Sequence, residues 1–256
     1  MLTAQKVVSI KIDGSINPAS SSFLKKAIDK AADAKAECLL VHLNTPGGLH
    51  KSTRVMVSDI LQSPVPVVVY VSPGGAHAGS AGVFITMAAH VAAMAPSTNI
   101  GAAHPVSSGG SMDSVMNDKA TNDAVAFIRT IAEKRQRNLD WAEEAVRKSV
   151  SITETEAVRI KVVDMIAANE RELLTAISGR VVEVNDGNKT MQTANATVER
   201  VEMGFAEKLL DMISDPNVAY ILMMLGFYGL LFELYSPGAI VPCVIGGICL
   251  ILAFFA

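Results

Sequence analysis

Two apolar runs, each ending in a glycine-rich turn and each followed by a helix-like segment, constrain this chain more than any other feature. Residues 38–43 read CLLVHL and residues 64–71 read PVPVVVYV. Nearly continuous apolar runs of this length, bounded by turn residues, are strands buried on both faces. Strands buried on both faces belong to parallel sheets. Parallel neighbours cannot be joined by a tight hairpin and need a crossover. Residues 18–34 and 49–61 carry apolar positions at helical spacing and supply such crossovers. Residues 7–12 alternate apolar and polar as a first strand, and residues 162–167 read as a later one. Trp141 and residues 153–160 read as helical. Residues 180–184 and 189–193 flank Asn185-Asp186-Gly187-Asn188, a hairpin signal. The alternation predicts an α/β fold with a largely parallel sheet.

The turns after the two buried runs carry the chemistry. Gly74-Gly75-Ala76-His77-Ala78-Gly79-Ser80-Ala81-Gly82 places a serine where a helix begins. There it meets free backbone N–H groups and the positive end of the dipole. That is a place for a nucleophile, and it is equally a place for a helix-capping serine. Asn44-Thr45-Pro46-Gly47-Gly48 ends the other run. Its glycines permit positive φ and bring a backbone N–H close to a ligand, or form a plain turn. In a parallel sheet the carboxyl ends of both strands share one edge, where α/β proteins place their sites. The N–H groups of Gly48 and Ala81 would then converge on one oxygen. Acyl transfer requires such donors for its tetrahedral oxyanion.

These two turns, together with Met94-Ala95-Pro96-Ser97-Thr98-Asn99-Ile100-Gly101, resemble the ClpP-like serine proteases. The likeness is greatest to the membrane-bound NfeD proteins, the stomatin-operon partner proteases. It runs through nearly the whole chain, including Asp215-Pro216-Asn217-Val218-Ala219-Tyr220. The resemblance implies a ClpP/crotonase-like fold and a Ser–Lys dyad endopeptidase with Ser80 as nucleophile. It puts the base at Lys119, in Asp118-Lys119-Ala120-Thr121-Asn122. A lysine base must be neutral, so a water-poor cleft around Lys119 is expected. His104 is the rival, because soluble relatives carry a histidine base near that place. A triad also needs an orienting carboxylate. The matching position here holds Ser149, which favours the dyad and leaves His104 as a cleft residue or alternative base. The resemblance further implies a stomatin/SPFH-like membrane protein as substrate or partner and a homo-oligomer, at least a dimer. It puts the protease domain on the extracytoplasmic side.

Composition excludes some classes. A net charge of −3 over 256 residues carries no nucleic-acid signal. Three cysteines do not make a disulfide framework. His42, His50, His77 and His90 show no metal-ligand spacing and read as structural or rim residues; neither a metal nor a cofactor is expected.

Half of the residues are hydrophobic, and the surplus gathers at the C-terminal end. Residues 218–235 carry one charge, Glu233, and residues 239–256 none. Each run is near the roughly 20 residues that cross a bilayer. Ser236-Pro237-Gly238 between them predicts a sharp turn and thus a transmembrane helical hairpin in contact with lipid. Residues 205–213 read as an amphipathic helix leading to it. Both ends look trimmed, with no signal peptide at the start and an apolar run at the finish. The expected organisation is a protease domain over residues 1–178, a small β-rich and helical extension over 179–214, and the hairpin over 215–256. Residues 106–117, rich in Gly, Ser and Asp, read as a mobile loop, either a lid or a connector. Two other classes fit less well. One is a non-proteolytic membrane scaffold for stomatin-type proteins. The other is an acyl-CoA enzyme on a crotonase-type fold, which lacks its usual cleft carboxylate here.

Overall fold

The computed structural model describes residues 5–106, 114–236 and 240–255. Strand β1 (Lys6–Asp13) leads through α1 (Pro18–Asp33) to β2 (Cys38–Asn44). Helix α2 (His50–Leu61) leads to β3 (Val67–Val71). The short β4 (His77–Gly79), α3 (Ala81–Ala88), β5 (Val91–Met94) and β6 (Asn99–Gly101) follow. Then come α4 (Ser114–Lys134), α5 (Leu139–Arg147), β7 (Ser151–Thr153), α6 (Glu154–Arg159) and β8 (Met165–Ile166). Helix α7 (Glu170–Ala176), the hairpin β9 (Val181–Val184) and β10 (Gly187–Thr190), and β11 (Thr197–Arg200) complete this unit. Helices α8 (Phe205–Ile213), α9 (Pro216–Tyr235) and α10 (Ile240–Phe255) come last.

The main sheet has the order β11-β1-β2-β3-β5-β8 and is parallel throughout. Val7, Cys38, Leu40, Val68, Tyr70, Val91 and Ala93 line one face and bury against Leu173 and Leu174 of α7 and Val182 and Val184 of β9. The opposite face, including Leu39, Val41, Leu43 and Val69, is fully buried. Burial on both faces is why these strands read as unbroken apolar runs. Strand β11 pairs with β1 at the sheet edge, and a second sheet of β4, β6 and β7 holds the turns. Neither is legible as a run, because these segments are three or four residues long. Of residues 162–167 only Met165 and Ile166 form a strand. The expected loop over residues 106–117 ends earlier, since α4 begins at Ser114; residues 107–113 lie outside the described residues. The turn at Pro237-Gly238 also lies outside them. Lys161, standing where the resemblance expects a helix-ending glycine, takes φ 63° as a glycine would.

A buried guanidinium joins the elements around the third helix. Arg137 donates to the carbonyls of Met87 (3.1 Å), Ala89 (3.2 Å) and Val162 (3.0 Å), and to Asp164 Oδ2 (2.9 Å). Arg135 Nε donates to the Ala88 carbonyl at 2.7 Å. The carbonyls that α3 leaves unpaired at its C-terminal end are thus met by cations, where the dipole favours them. Burial alone would raise the Asp164 carboxyl, but Arg137, the Ala92 N–H and Arg180 hold it below the usual range. His90 is buried beside Arg135; desolvation first, then the Arg135 cation, pushes its pKa down to about 3.

The described residues fall into two compact units. One takes in residues up to 16 and from 24 to 202, the other residues 17–23 and from 203 onward. In the second, α9 and α10 pack backbone against backbone. A methyl on Gly229 would stand 2.7 Å from the Pro242 carbonyl, and one on Gly246 would stand 2.9 Å from the Gly226 carbonyl. Close approach through small residues is the packing mode of helices in lipid. Among the described residues no single helix is long and apolar enough to cross a membrane; α8 and α9 pass that test only together.

Two outcomes are expected. Arg137→Met leaves Asp164 half-buried with one cation fewer and three carbonyls unmet, and lowers stability by about 3–5 kcal/mol in urea unfolding. His90 binds its proton more weakly folded than unfolded. The unfolded chain therefore takes up an extra proton as pH falls below about 6.5, and stability declines from there to about pH 3. The slope from this group is at most about 1.4 kcal/mol per pH unit, and His90→Gln removes it from the urea midpoint profile.

Candidate active site

Ser80 stands between β4 and α3 with φ 47° and ψ −106°. A non-glycine residue there stores about 1–3 kcal/mol of strain, and such strain gathers at functional sites. The strain is held by the neighbouring strands. Ser80 N–H donates to the Ala102 carbonyl (2.9 Å), and Ala102 N–H donates to the Val150 carbonyl (2.9 Å). Thr45 and Ala78 form a parallel bridge, with Thr45 N–H donating to the His77 carbonyl (2.8 Å) and Gly79 N–H to the Thr45 carbonyl (2.9 Å). Asn44 Oδ1 accepts from His77 N–H at 3.0 Å. Ser80 occupies the N-cap position, yet its side chain makes no capping hydrogen bond. The hydroxyl is therefore not spent as a cap, and the capping reading of this serine fails.

The glycine turn after β2 lies directly over the serine. A methyl on Gly47 (φ 131°) would stand 2.6 Å from Ser80 Cβ and 3.2 Å from Ser80 Oγ. Thr45 Oγ1 accepts from Gly47 N–H and donates to the Gly47 carbonyl, both at 3.0 Å, and so shapes the turn. Gly48 bridges Ile16: Ile16 N–H donates to the Gly47 carbonyl (2.7 Å) and Leu49 N–H to the Ile16 carbonyl (2.8 Å). A side chain at Gly48 would run into the Ile16 backbone. This register leaves the Gly48 N–H pointing away from Ile16. Among the described residues neither Gly48 N–H nor Ala81 N–H donates a hydrogen bond. Gly82 is needed too, since a methyl there would stand 2.8 Å from Thr45 Cγ2.

Lys119 sits near the start of α4 and is exposed, not buried as expected for a neutral base. Helix α4 is fastened further along, which explains the difference. Phe127 stacks on Phe84 at 5.7 Å, and the Arg54 guanidinium lies 4.3 Å over the Phe127 ring while pairing with Asp123. Lys119 precedes Asp123 and Phe127 by successive turns, on the line facing α2 and α3, but beyond their packing. Among the described residues nothing joins Lys119 to Ser80.

His104 is half-buried, with Nδ1 2.9 Å from the Val146 carbonyl. A carbonyl only accepts, so Nδ1 is the donor in this bond and Nε2 takes no part in it. A carbonyl thus holds the ring where a triad would use a carboxylate. His42 is structural, one of the two roles expected of it: its ring nitrogens meet Ser72 Oγ and Glu170 Oε2, both at 2.9 Å, and tie α7 to the sheet. No spacing in the chain marks that pair, since Glu170 lies 128 residues beyond His42. Among the described residues no cluster could hold a metal ion.

A family model described as NfeD1b, N-terminal domain, matches residues 6–201, and one described as NfeD integral membrane domain matches residues 217–256. The membrane-bound protease PH1510 of Pyrococcus horikoshii is 35% identical over 257 residues, covering 98% of this chain. This chain spans 58% of that protein's length. The structure of 1510-N, a membrane-bound stomatin-specific protease, as a lysine-to-alanine mutant with a substrate peptide, aligns with TM-score 0.76 and 33% identity. It covers 84% of this chain and all of that one. ClpP1 from Listeria monocytogenes aligns with TM-score 0.52 at 18% identity, over 63% of this chain and 92% of its own, and speaks for the fold alone. With its α/β unit and its C-terminal helices each matched in turn, the chain belongs to the NfeD family of membrane proteins and has a ClpP-like fold.

Proposed function

We propose that this chain is a membrane-associated serine endopeptidase acting on hydrophobic segments of a stomatin-like protein. The observation that carries the reading is Ser80: a strained residue whose hydroxyl makes no capping bond, beside two backbone N–H groups that nothing among the described residues occupies. Ser80 Oγ attacks the peptide carbonyl carbon and gives its proton to the neutral amine of Lys119. The N–H groups of Gly48 and Ala81 hold the oxyanion. Collapse of the intermediate expels the amine, which takes that proton, and water then releases the acyl group from Ser80.

The exposed position of Lys119 requires a further element to cover it. A second copy of the chain or the substrate supplies it, and the active form is at least a dimer. Leu49, Val115 and Met116 are 52%, 54% and 60% exposed, beside the glycine turn and ahead of Lys119. An apolar peptide laid on them would remove water from Lys119 and favour its neutral form. Leu49 N–H is already engaged by Ile16, so Gly48 N–H is what the turn offers an incoming carbonyl. The relative's lysine-to-alanine mutant with bound peptide supports a lysine in the chemistry. We place the protease unit on the extracytoplasmic side. The alternative base is His104, favoured by an Nε2 that takes no part in the bond to Val146.

A fluorophosphonate serine probe and a peptide from a stomatin-like C-terminal segment test the roles. Ser80→Ala loses labelling and cleavage while remaining folded. Lys119→Ala lowers cleavage by roughly 10²–10⁴-fold, and His104→Ala by less than about tenfold. Retained activity without Lys119 and loss without His104 would reverse the two assignments; full cleavage by Ser80→Ala would remove the mechanism. Strain adds a separate expectation. Ser80→Gly relieves the positive φ and raises stability by about 1 kcal/mol or more in urea unfolding, while Ser80→Ala does not.

A further inference from the structure

Helix α8 falls between the two family matches, after residue 201 and before residue 217. Its nine residues, FAEKLLDMI, divide cleanly around the axis. Phe205, Leu209 and Met212, at spacings of four and three, form one stripe and are 86%, 41% and 54% exposed. Ile213 and Ala206 continue the apolar arc, and Glu207, Lys208 and Asp211 occupy the opposite arc. Asp211 Oδ1 accepts from Asn17 Nδ2 at 2.7 Å, which fixes the polar side toward its own unit. A stripe of large apolar side chains facing outward has no reason to remain in water.

The geometry of the next helix says what covers it. Ser214 and Asp215 break the chain, the Asp215 side chain accepts from Asn217 N–H at 2.8 Å, and α9 departs at 77° to α8. Helix α9 belongs to the stretch matched as an integral membrane domain. If α9 stands along the membrane normal, α8 lies within about 15° of the membrane plane. The other reading of the bent pair, a broken span, would carry Glu207, Lys208 and Asp211 into hydrocarbon. Each would cost roughly a hundredfold in the insertion equilibrium, whereas in the plane all three stay out of the hydrocarbon.

We propose that α8 is an interfacial helix, seated in the bilayer surface by Phe205, Leu209 and Met212, with Glu207, Lys208 and Asp211 on the arc turned away from the hydrocarbon. The occupant of the stripe is lipid. One cation against two acids on the polar arc gives no attraction to anionic headgroups, so burial of apolar surface alone holds the helix. The proposal rests on the membrane-associated reading of α9 and α10, and is independent of the peptidase activity.

Depth-dependent quenching tests it on the full chain in phosphatidylcholine vesicles. The single tryptophan, Trp141, is replaced by phenylalanine, which keeps a ring in the buried site and gives up no hydrogen bond among the described residues. New tryptophans are placed one at a time at Phe205, Met212, Lys208 and, as a deep reference in α9, Phe227. Lipids brominated at shallow or deep acyl positions are compared. Phe205→Trp and Met212→Trp should be quenched at least about twofold more by shallow than by deep bromines. Lys208→Trp should be quenched little, and Phe227→Trp most by deep bromines. Adding anionic phosphatidylglycerol should change nothing. Phe205→Trp and Met212→Trp unquenched beside a deeply quenched Phe227→Trp would overturn the proposal and leave the membrane hairpin standing. Deepest quenching at position 205, or equal quenching at 205 and 208, would overturn it in favour of a span or an unoriented helix. An unquenched Phe227→Trp would overturn the membrane reading itself, and the proposal with it.

Discussion

Helix α3, which begins just after Ser80, is held at its far end by a buried cation. Arg137 arrives from the connection after α4 and finds the last carbonyls of α3, the carbonyl of Val162 and the carboxylate of Asp164. Asp164 in turn accepts from Ala92 N–H (2.8 Å) and from Arg180 (2.6 Å), so β5, β8 and the hairpin region share the same charge pair. A buried ion pair is not a strong net source of stability. Its value here is positional. The carbonyls of Met87 and Ala89 point where one planar, many-donor group can meet both, and Arg135 takes that of Ala88. With that end pinned, the first turn of α3 cannot shift without breaking bonds at its last.

The other end of α3 is fixed by backbone alone. Ser80 is caught between the Ala102 carbonyl and the turn of Gly47, and Ala102 itself takes φ 46° to reach Val150. Gly101 allows this close approach, since a methyl there would stand 2.5 Å from the Val150 carbonyl. Three chain segments distant in sequence therefore agree on one strained serine. Strain persists only when its surroundings over-determine it, and the short strands β4, β6 and β7 do so. They bury little surface of their own; their function is alignment.

What was legible in the sequence follows from this division of labour. The main sheet was legible because burial on both faces writes itself as unbroken Val and Leu runs in β2 and β3. The glycine turn and Ser80 were legible because close backbone approach leaves small residues no substitute. The small sheet was not, because three-residue strands have no period to detect. Nor was the choice between a capping and a chemical serine at position 80, which turns on whether the hydroxyl makes its bond. The sites of Arg137 and His42 depend on partners brought from far along the chain, Met87 and Asp164 for one and Glu170 for the other. Composition and spacing carry no trace of such meetings.

Lys119 shows the remaining gap between motif and mechanism. Its helix is tied at three levels: Arg135 and Arg137 just beyond its C-terminal end, Phe127 on Phe84 in its middle, and Asp123 with Arg54 one turn earlier. Ahead of Asp123 the helix keeps Asn122 on Arg147 (2.9 Å) and a buried Thr121, and beyond them Val115, Met116, Asp118 and Lys119 are all exposed. The proposed nucleophile and oxyanion donors are thus built into the rigid part of the fold, while the proposed base is carried at the least-held end of a long helix. A lysine serves as such a base only where water is kept from it. A chain organised in this way would have its nucleophile ready and its base idle until an apolar surface covers both. Selectivity for hydrophobic segments would then reside in the desolvation of one amine as much as in any pocket that fits a side chain.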